Sequence, residues 1–556
     1  MESARASLDQ LVANFQWISN VSHSYDFNTL LHSNDPPSPL QSVNLKISID
    51  NMEYISGKIQ AALDLLGNAV ASLEAHMSRV QSLQRDYEVM LSPIRRVPAE
   101  ILMEILSCTR TAVDDPENGR VDGFNVFIGG KGPWPLGQVC RRWRGVVSTL
   151  CPSLWATMTI SNPASRRGRG WNPKFAVEML EHALERTRGH LLGFLFEHHN
   201  GSTTEVYDIM DTCFNLMMGH STRWRRAEFK IPPFFLPRLS PLRGKIDLLT
   251  DAYLQCLPEA GHHSDPITAF EIAPRLKFLR LKGFDPAVKV PFPTANLVSL
   301  SDERPFAGDQ FNPVYTRIVK YSPKLLSLSY HDHANTHRRI TLPPSHPRVT
   351  SLSIQTLSVS SANFLRTIYV PVLREVILTA AYEGYFVACL PSDIITALSE
   401  LIHHSHCSLT RLSVVNVTID GDKLPAVLRL TPCLEELFVQ FRRWARDNRP
   451  GMKVLVESLA ETIPGNDRAQ HSIIPSLTSL RIVLEGIERT RISFVDAKFV
   501  AMIMSRHLSG ALMKLVLHLQ GDEWTYNMSP QDKTDLESLQ LSGFVLDFTI
   551  DRWIPH

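Results

Sequence analysis

The sequence lacks most of the features that settle a function quickly. No run approaches the ~18 apolar residues that a membrane-spanning helix needs. The charge is balanced, with 57 Lys and Arg against 56 Asp and Glu, so nothing pulls the whole chain towards nucleic acid or an anionic surface. The first residues, MESARASLDQLVANF, show no basic segment running into an apolar core, which is the mark of a secretory signal. None of the 8 cysteines forms a CxxC pair, and most sit in apolar stretches, as reduced thiols of a cytoplasmic or nuclear protein do. No G-x-S-x-G or H-E-x-x-H constellation occurs. GGKGPW at 129–134 has neither the phosphate-loop spacing nor a Ser or Thr after Lys131. HHSHC at 403–407 has no second ligand pair spaced to complete a zinc site. The expectation is therefore no catalytic residue, no metal and no cofactor.

At 556 residues the chain exceeds what one core supports, so several structural units are expected. Residues 1–45, with HSNDPPSPLQS, hold no sustained period and read as a mobile segment. From 46 to 90 the pattern turns helical. Ile59, Leu66, Leu73, Val80 and Tyr87 recur every seven residues, with Leu63, Val70 and Met77 widening the stripe until Pro93 stops it. Ala62, Ala69 and His76 make a weak companion row, which leaves two alternatives open: weak self-association through 46–90, or a helix docked within the chain.

Two further helices follow, separated by a loop insert at about 111–133. The first is predicted over Pro98–Ser107, with Ile101, Leu102, Ile105 and Leu106 on one face and Glu100 near the positive helix end. The second, LGQVCRRWRGVVSTL at 136–150, places Val139, Cys140, Trp143, Val146 and Val147 at helical spacing. A polar link over 161–173 then leads into an array covering 174–556. Its unit reads apolar-x-x-apolar-x-apolar, commonly after a proline, as in APRLKFLRL, SPKLLSLSY, HPRVTSLSI, VPVLREVIL, TPCLEELFV and IPSLTSLRI. First positions at 276, 297, 325, 349, 373, 409, 434, 477 and 512 lie 21–43 residues apart. LLGFLF at 191 and WRRAEF at 224 are earlier echoes. Each unit offers one short strand that cannot bury its own apolar face, so neighbours must stack into an α/β solenoid.

PAEILMEIL, followed by LGQVCRRWRGVV and PSLWATM, resembles the F-box motif. With SPIRRVPAEIL ahead of it and repeats behind, the chain is similar to the large fungal group of F-box proteins carrying leucine-rich-like repeats. Val97 stands where leucine is commoner in the family, and the loop insert is longer than in compact F-boxes. The Asn or Cys that regular leucine-rich repeats carry at their ninth position is missing, so the solenoid is expected to be irregular.

The resemblance implies docking on a Skp-type adaptor, and through it a cullin, by way of Pro98, Ile101, Leu102 and Ile105, with Val139, Cys140 and Trp143 doing likewise or packing between the helices. Trp155 would close the small domain onto the linker. It also implies that the solenoid presents a protein target for ubiquitin transfer. Arg442, Arg443 and Trp444, in FRRWARDNR, are the candidate target contact; with the charge balanced, a nucleic-acid partner is not expected. The rival expectation is an interaction scaffold unconnected with ubiquitin, its short helices serving only as a cap.

Overall fold

The structure is a computed structural model of the chain. It describes residues 2–20, 30–31, 36–109, 123–162, 173–198, 204–257, 265–285, 288–306, 312–332, 348–379, 382–383, 386–387, 389–445, 447–463, 470–488, 490–522 and 524–552. The core of the loop insert, most of the linker with SRRGRG, and most of HDHANTH (331–337) lie outside them. The chain divides into two compact units, Met1–Ile101 and Leu102–His556.

In the first unit, helix α1 (Glu2–Ala13) occupies part of the segment expected to be mobile. Its Ala, Leu, Arg and Gln residues, uninterrupted by Pro or Gly, account for it. Helix α2 runs from Pro39 to Leu91, 53 residues, about 80 Å at 1.5 Å per residue. It begins earlier than its apolar period because Ser38, Pro39 and Gln41 build a capping box. The Ser38 hydroxyl accepts from the Gln41 amide, and the Gln41 side chain accepts from the Ser38 amide. No residue of α2 is buried.

Helix α3 (Ala99–Cys108) carries the unit boundary and begins directly after Pro98. A short helix α4 (Pro133–Leu136) comes next; the second expected helix, 136–150, is shortened to α5 (Arg141–Thr149), and α6 (Pro152–Trp155) follows it. Gly137 ends α4, and Cys140 caps α5 by accepting from the Trp143 amide through Sγ at 3.4 Å. Val139 and Cys140 thus precede the helix instead of lying on its face.

Among the described residues, fifteen strands form one parallel sheet in which each pairs with its neighbours in chain order. They are β1 (Phe124–Asn125), β2 (Thr157–Ser161), β3 (Leu192–Glu197), β4 (Trp224–Ile231), β5 (Asp251–Cys256), β6 (Phe278–Lys282), β7 (Ser299–Phe306), β8 (Ser327–Asp332), β9 (Thr356–Val359), β10 (Glu375–Thr379), β11 (Arg411–Val415), β12 (Glu436–Phe441), β13 (Ser479–Glu488), β14 (Lys514–Asp522) and β15 (Val545–Arg552). The architecture is mixed α/β and solenoid-like. Helices such as α7 (Ala176–Arg186), α8 (Thr204–Gly219), α9 (Asn312–Tyr321), α10 (Ala362–Thr367), α11 (Asp393–Ser405), α12 (Lys423–Arg429), α13 (Asn448–Ala460) and α14 (Ala497–Leu508) return the chain between strands.

Register explains the repeat. Leu279, Leu300, Leu328, Leu357, Val376, Leu412, Leu437, Leu480 and Leu515 pair in one continuous row, every one of them buried. The next inward row, Leu254, Leu281, Asp302, Tyr330, Val359, Leu378, Val414, Val439, Ile482 and Leu517, runs parallel to it. Alternate residues point to the opposite, partly exposed face, as the two-residue period of a strand requires.

One repeat falls out of phase with the template. HPRVTSLSI does not supply a strand of the large sheet; Val349–Thr350 pairs with Ile368–Tyr369 in a two-stranded sheet. The strand of this repeat is β9, and Ile354, just ahead of it, is the first apolar position of the repeat. Leu352, which fits the repeat template, is 72% exposed.

Asp302 interrupts the inner row. Its carboxylate accepts from Arg304 Nε at 2.8 Å and Nη2 at 2.6 Å, and from the Tyr315 hydroxyl at 2.8 Å. Arg304 also donates to the Val288 carbonyl at 2.8 Å. Tyr315 stacks on Tyr330 at 4.1 Å. Burial pulls the Arg304 pKa down, but Asp302 and Tyr315 outweigh it and hold the guanidinium above its ordinary value. No helix among the described residues is long and apolar enough to cross a membrane.

Candidate functional site

The short helices are fixed to the start of the sheet. The glycine-rich end of the insert becomes β1, which pairs with β2 through Phe124 and Met158. Glycine is required there: Gly132 has φ +65°, and a Cβ on it would stand 2.3 Å from that of Phe124. Trp155 of α6 is buried, donates Nε1–H to the Val147 carbonyl at 3.0 Å, and meets Trp134 edge-on at 4.8 Å. The Arg186 guanidinium of α7 lies 4.7 Å over the Trp155 ring, so this tryptophan ties α5 to the first return helix. That is a closer attachment to the solenoid than the sequence suggested.

The expected docking residues divide by exposure. Pro98 and Ile101, at the end of the first unit, are exposed. In the second unit Ile105 is 44% exposed and Val139 60%. Cys140 is exposed, but its sulfur is engaged as a helix cap. Trp143 is half-buried. Leu102 departs from expectation: it is fully buried and, with Leu106, pins α3 in place, so it cannot face a partner. Cys151, its thiol pKa pushed up by burial, donates to the Met103 carbonyl at 4.0 Å beneath the same helix. Val146 and Val147 hold α5 down in the same way.

The partly exposed face of the sheet is polar and largely self-paired. Lys230 meets Glu197 at 3.3 Å, Arg226 meets Asp251 at 3.6 Å, and Arg411 meets Glu375 at 3.1 Å. Glu303 takes both Arg280 at 2.6 Å and Lys282 at 3.1 Å. Burial raises the Glu303 pKa, but the two cations overcome that and hold it below the usual carboxylate range.

Between these pairs lies a block of hydroxyls: Ser299, Ser327 and Thr356 in one row, Ser301, Ser329 and Ser358 in the next. His331 Nε2 lies 3.0 Å from Ser329 Oγ and 3.5 Å from Ser358 Oγ, and its Nδ1 lies 3.3 Å from the Thr379 carbonyl. Sequence reading missed this block, although its signal, serine on both sides of the repeat leucine in SLS, was there to be read.

Arg442 and Arg443 are exposed just past β12. Trp444 is buried against Phe441 and Phe494 with ring distances of 5.2 and 6.0 Å, so it is a core residue and not part of the contact. His403 and His404 end α11 on its exposed side and His406 is its left-handed cap, while Cys407 is buried. Among the described residues no cluster could hold a metal ion.

An in-order parallel α/β repeat protein with small helices joined to its first strands is the class these observations define. No family model matches the chain, and no curated protein matches it either. Among solved structures it is similar to a structural-genomics target from Bacteroides fragilis. That likeness covers 69% of this chain and 72% of the other at 11% identity, with a TM-score of 0.20. At that score the likeness carries no argument about function.

Proposed function

We propose that the chain is the substrate-recognition subunit of an SCF-type cullin ubiquitin ligase, acting in the cytoplasm or nucleus. In this reading α3 and the segment entering α5 bind a Skp-type adaptor, and the open face of the sheet receives a protein target. The observation that carries it is the split exposure of two short elements. Leu102, Leu106, Val146 and Val147 lock them down, yet Ile105 and Val139 remain uncovered. Apolar side chains held outward on a fixed support suit a partner surface. The chain's contribution is proximity: holding adaptor and target together raises the effective concentration of target lysines at the transfer machinery.

A specific observation favours a second reading. Pairing of β1 with β2 and the burial of Trp155 make the helices part of the sheet's first turn, as the end cap of a solenoid scaffold would be. Titration of the full chain with a purified Skp-type adaptor separates the two. The ligase reading expects a one-to-one complex, lost in Ile105→Glu and Val139→Glu and kept in Arg443→Glu. A folded chain without adaptor affinity would favour the scaffold.

A further inference from the structure

We infer that α2 is one strand of a parallel, in-register coiled coil with a second copy of this chain. Taken from Ile49, the helix repeats an alternating three–four spacing. Ile49, Ser56, Leu63, Val70, Met77 and Gln84 occupy one core position of each heptad, and Met52, Ile59, Leu66, Leu73, Val80 and Tyr87 the other. Six heptads is well beyond the three or four that mark a coiled coil. Most of the stripe is uncovered: Leu63 is 56% exposed, Leu73 67%, Val80 61% and Tyr87 62%, while Ile59 and Leu66 are half-buried.

The period itself points to the occupant. On a straight helix a seven-residue repeat drifts by about 20° per heptad, so over six heptads the row winds about 120° around the surface. A row of that kind stays in contact only with a partner that supercoils at the same pitch. A second copy has that period by construction.

The flanking residues fit self-pairing. On one side of the seam stand Glu53, Glu74 and Glu88; on the other stand Ile55, Ala69, His76 and Leu83. In a parallel pair these two sides meet across the interface, and no glutamate faces a glutamate. Ser56 and Gln84 decide the orientation. A parallel pair sets each beside its own counterpart, where hydrogen bonds between like side chains satisfy both. An antiparallel pair sets them against apolar residues such as Val80 and Met52. Polar residues at such positions fix register and partner number at some cost in stability.

The dimer does not depend on the ubiquitin reading. Sedimentation equilibrium of the full chain at tens of micromolar is the test. The expected mass is twice 62.7 kDa, halved by Leu66→Glu with Leu73→Glu and unchanged by Ser72→Glu on the outer side of the helix. Far-ultraviolet circular dichroism checks that the variants stay folded. Under mild oxidation Ser56→Cys should give a covalent dimer that the parent chain does not. A monomeric parent chain overturns the inference, as does a dimer that survives the double substitution. A dimer that Ser56→Cys fails to link overturns the parallel register.

Discussion

The rows of leucine in α2 and in the sheet are alike in chemistry and opposite in fate. Leu437 sits between Leu412 and Leu480 on the neighbouring strands and is 1% exposed, whereas Leu73 is 67% exposed. In the sheet each repeat supplies the cover that the one before it lacks, so the apolar row closes within one chain. Most of the heptad row, Leu63, Val70, Leu73, Met77, Val80 and Tyr87 among it, has no such cover among the described residues of its unit. A periodic apolar row therefore announces that something covers it; the period, near two or near 3.5, says whether that cover is the next repeat or another helix.

The sharpest way to break the sheet is at Asp302, the charged step of its inner row. Asp302→Ala leaves Arg304 buried without its carboxylate, which should cost about 3–5 kcal/mol in chemical denaturation. Replacing the pair together, Asp302→Leu with Arg304→Met, should recover most of that. If the single change is tolerated, the carboxylate is not what holds the inner row at β7.

One deletion made in both rows tests the contrast between them. Leu437→Ala should cost about 2–5 kcal/mol, the range for a buried leucine. Leu73→Ala, measured on dilute protein, should stay within about 0.5 kcal/mol of the parent. Equal effects would mean that α2 is covered after all.

The smallest effect is a pH slope. His471 is buried, its Nε2 lies 3.4 Å from Ser505 Oγ, and burial first, then Arg506, lowers its pKa. Arg506 is itself brought down to about 10 by burial and donates to the Leu459, Ile473 and Ile474 carbonyls. A histidine with a depressed folded pKa contributes stability that is complete above its unfolded value of about 6.5. That contribution is lost as pH falls through the folded value. His471→Gln should therefore flatten the decline in denaturation midpoint between pH 7.5 and 5.5.

Most of the sheet was legible because a leucine at the right step of each strand is a strong landmark. Where the landmark is weak, the reading slipped. In β5 the residue that continues the leucine row is Ala252, too small to stand out, and the strand was missed. At 349–354 a second run of apolar residues fits the same template five residues early, and spacing alone cannot choose between phases. β1 is only two residues long and depends on Gly132, a matter of backbone conformation that composition does not display.

At the candidate site the apolar residues of α3 are plain in the sequence. Which of them face inward is not, since Ile101, Leu102 and Ile105 differ little in type. Trp444 was misjudged for a related reason: its arginine neighbours advertise a surface, while Phe441 and Phe494 draw the ring beneath it.

Strands that meet only their neighbours in sequence also set how the molecule would yield under tension. Pulled from its C-terminal end, the chain would peel β15 first, then β14, each strand leaving an intact sheet one strand narrower. The force trace would be a saw-tooth whose spacing is set by the chain released at each step. The first apolar positions of successive repeats fall 19 residues apart at the narrowest (Ile354 to Leu373) and 43 at the widest (Leu434 to Leu477). At about 3.5 Å per extended residue, those steps are about 65 and about 150 Å. A protein with such uneven teeth carries its own ruler, in which each extension identifies the repeat that has just let go.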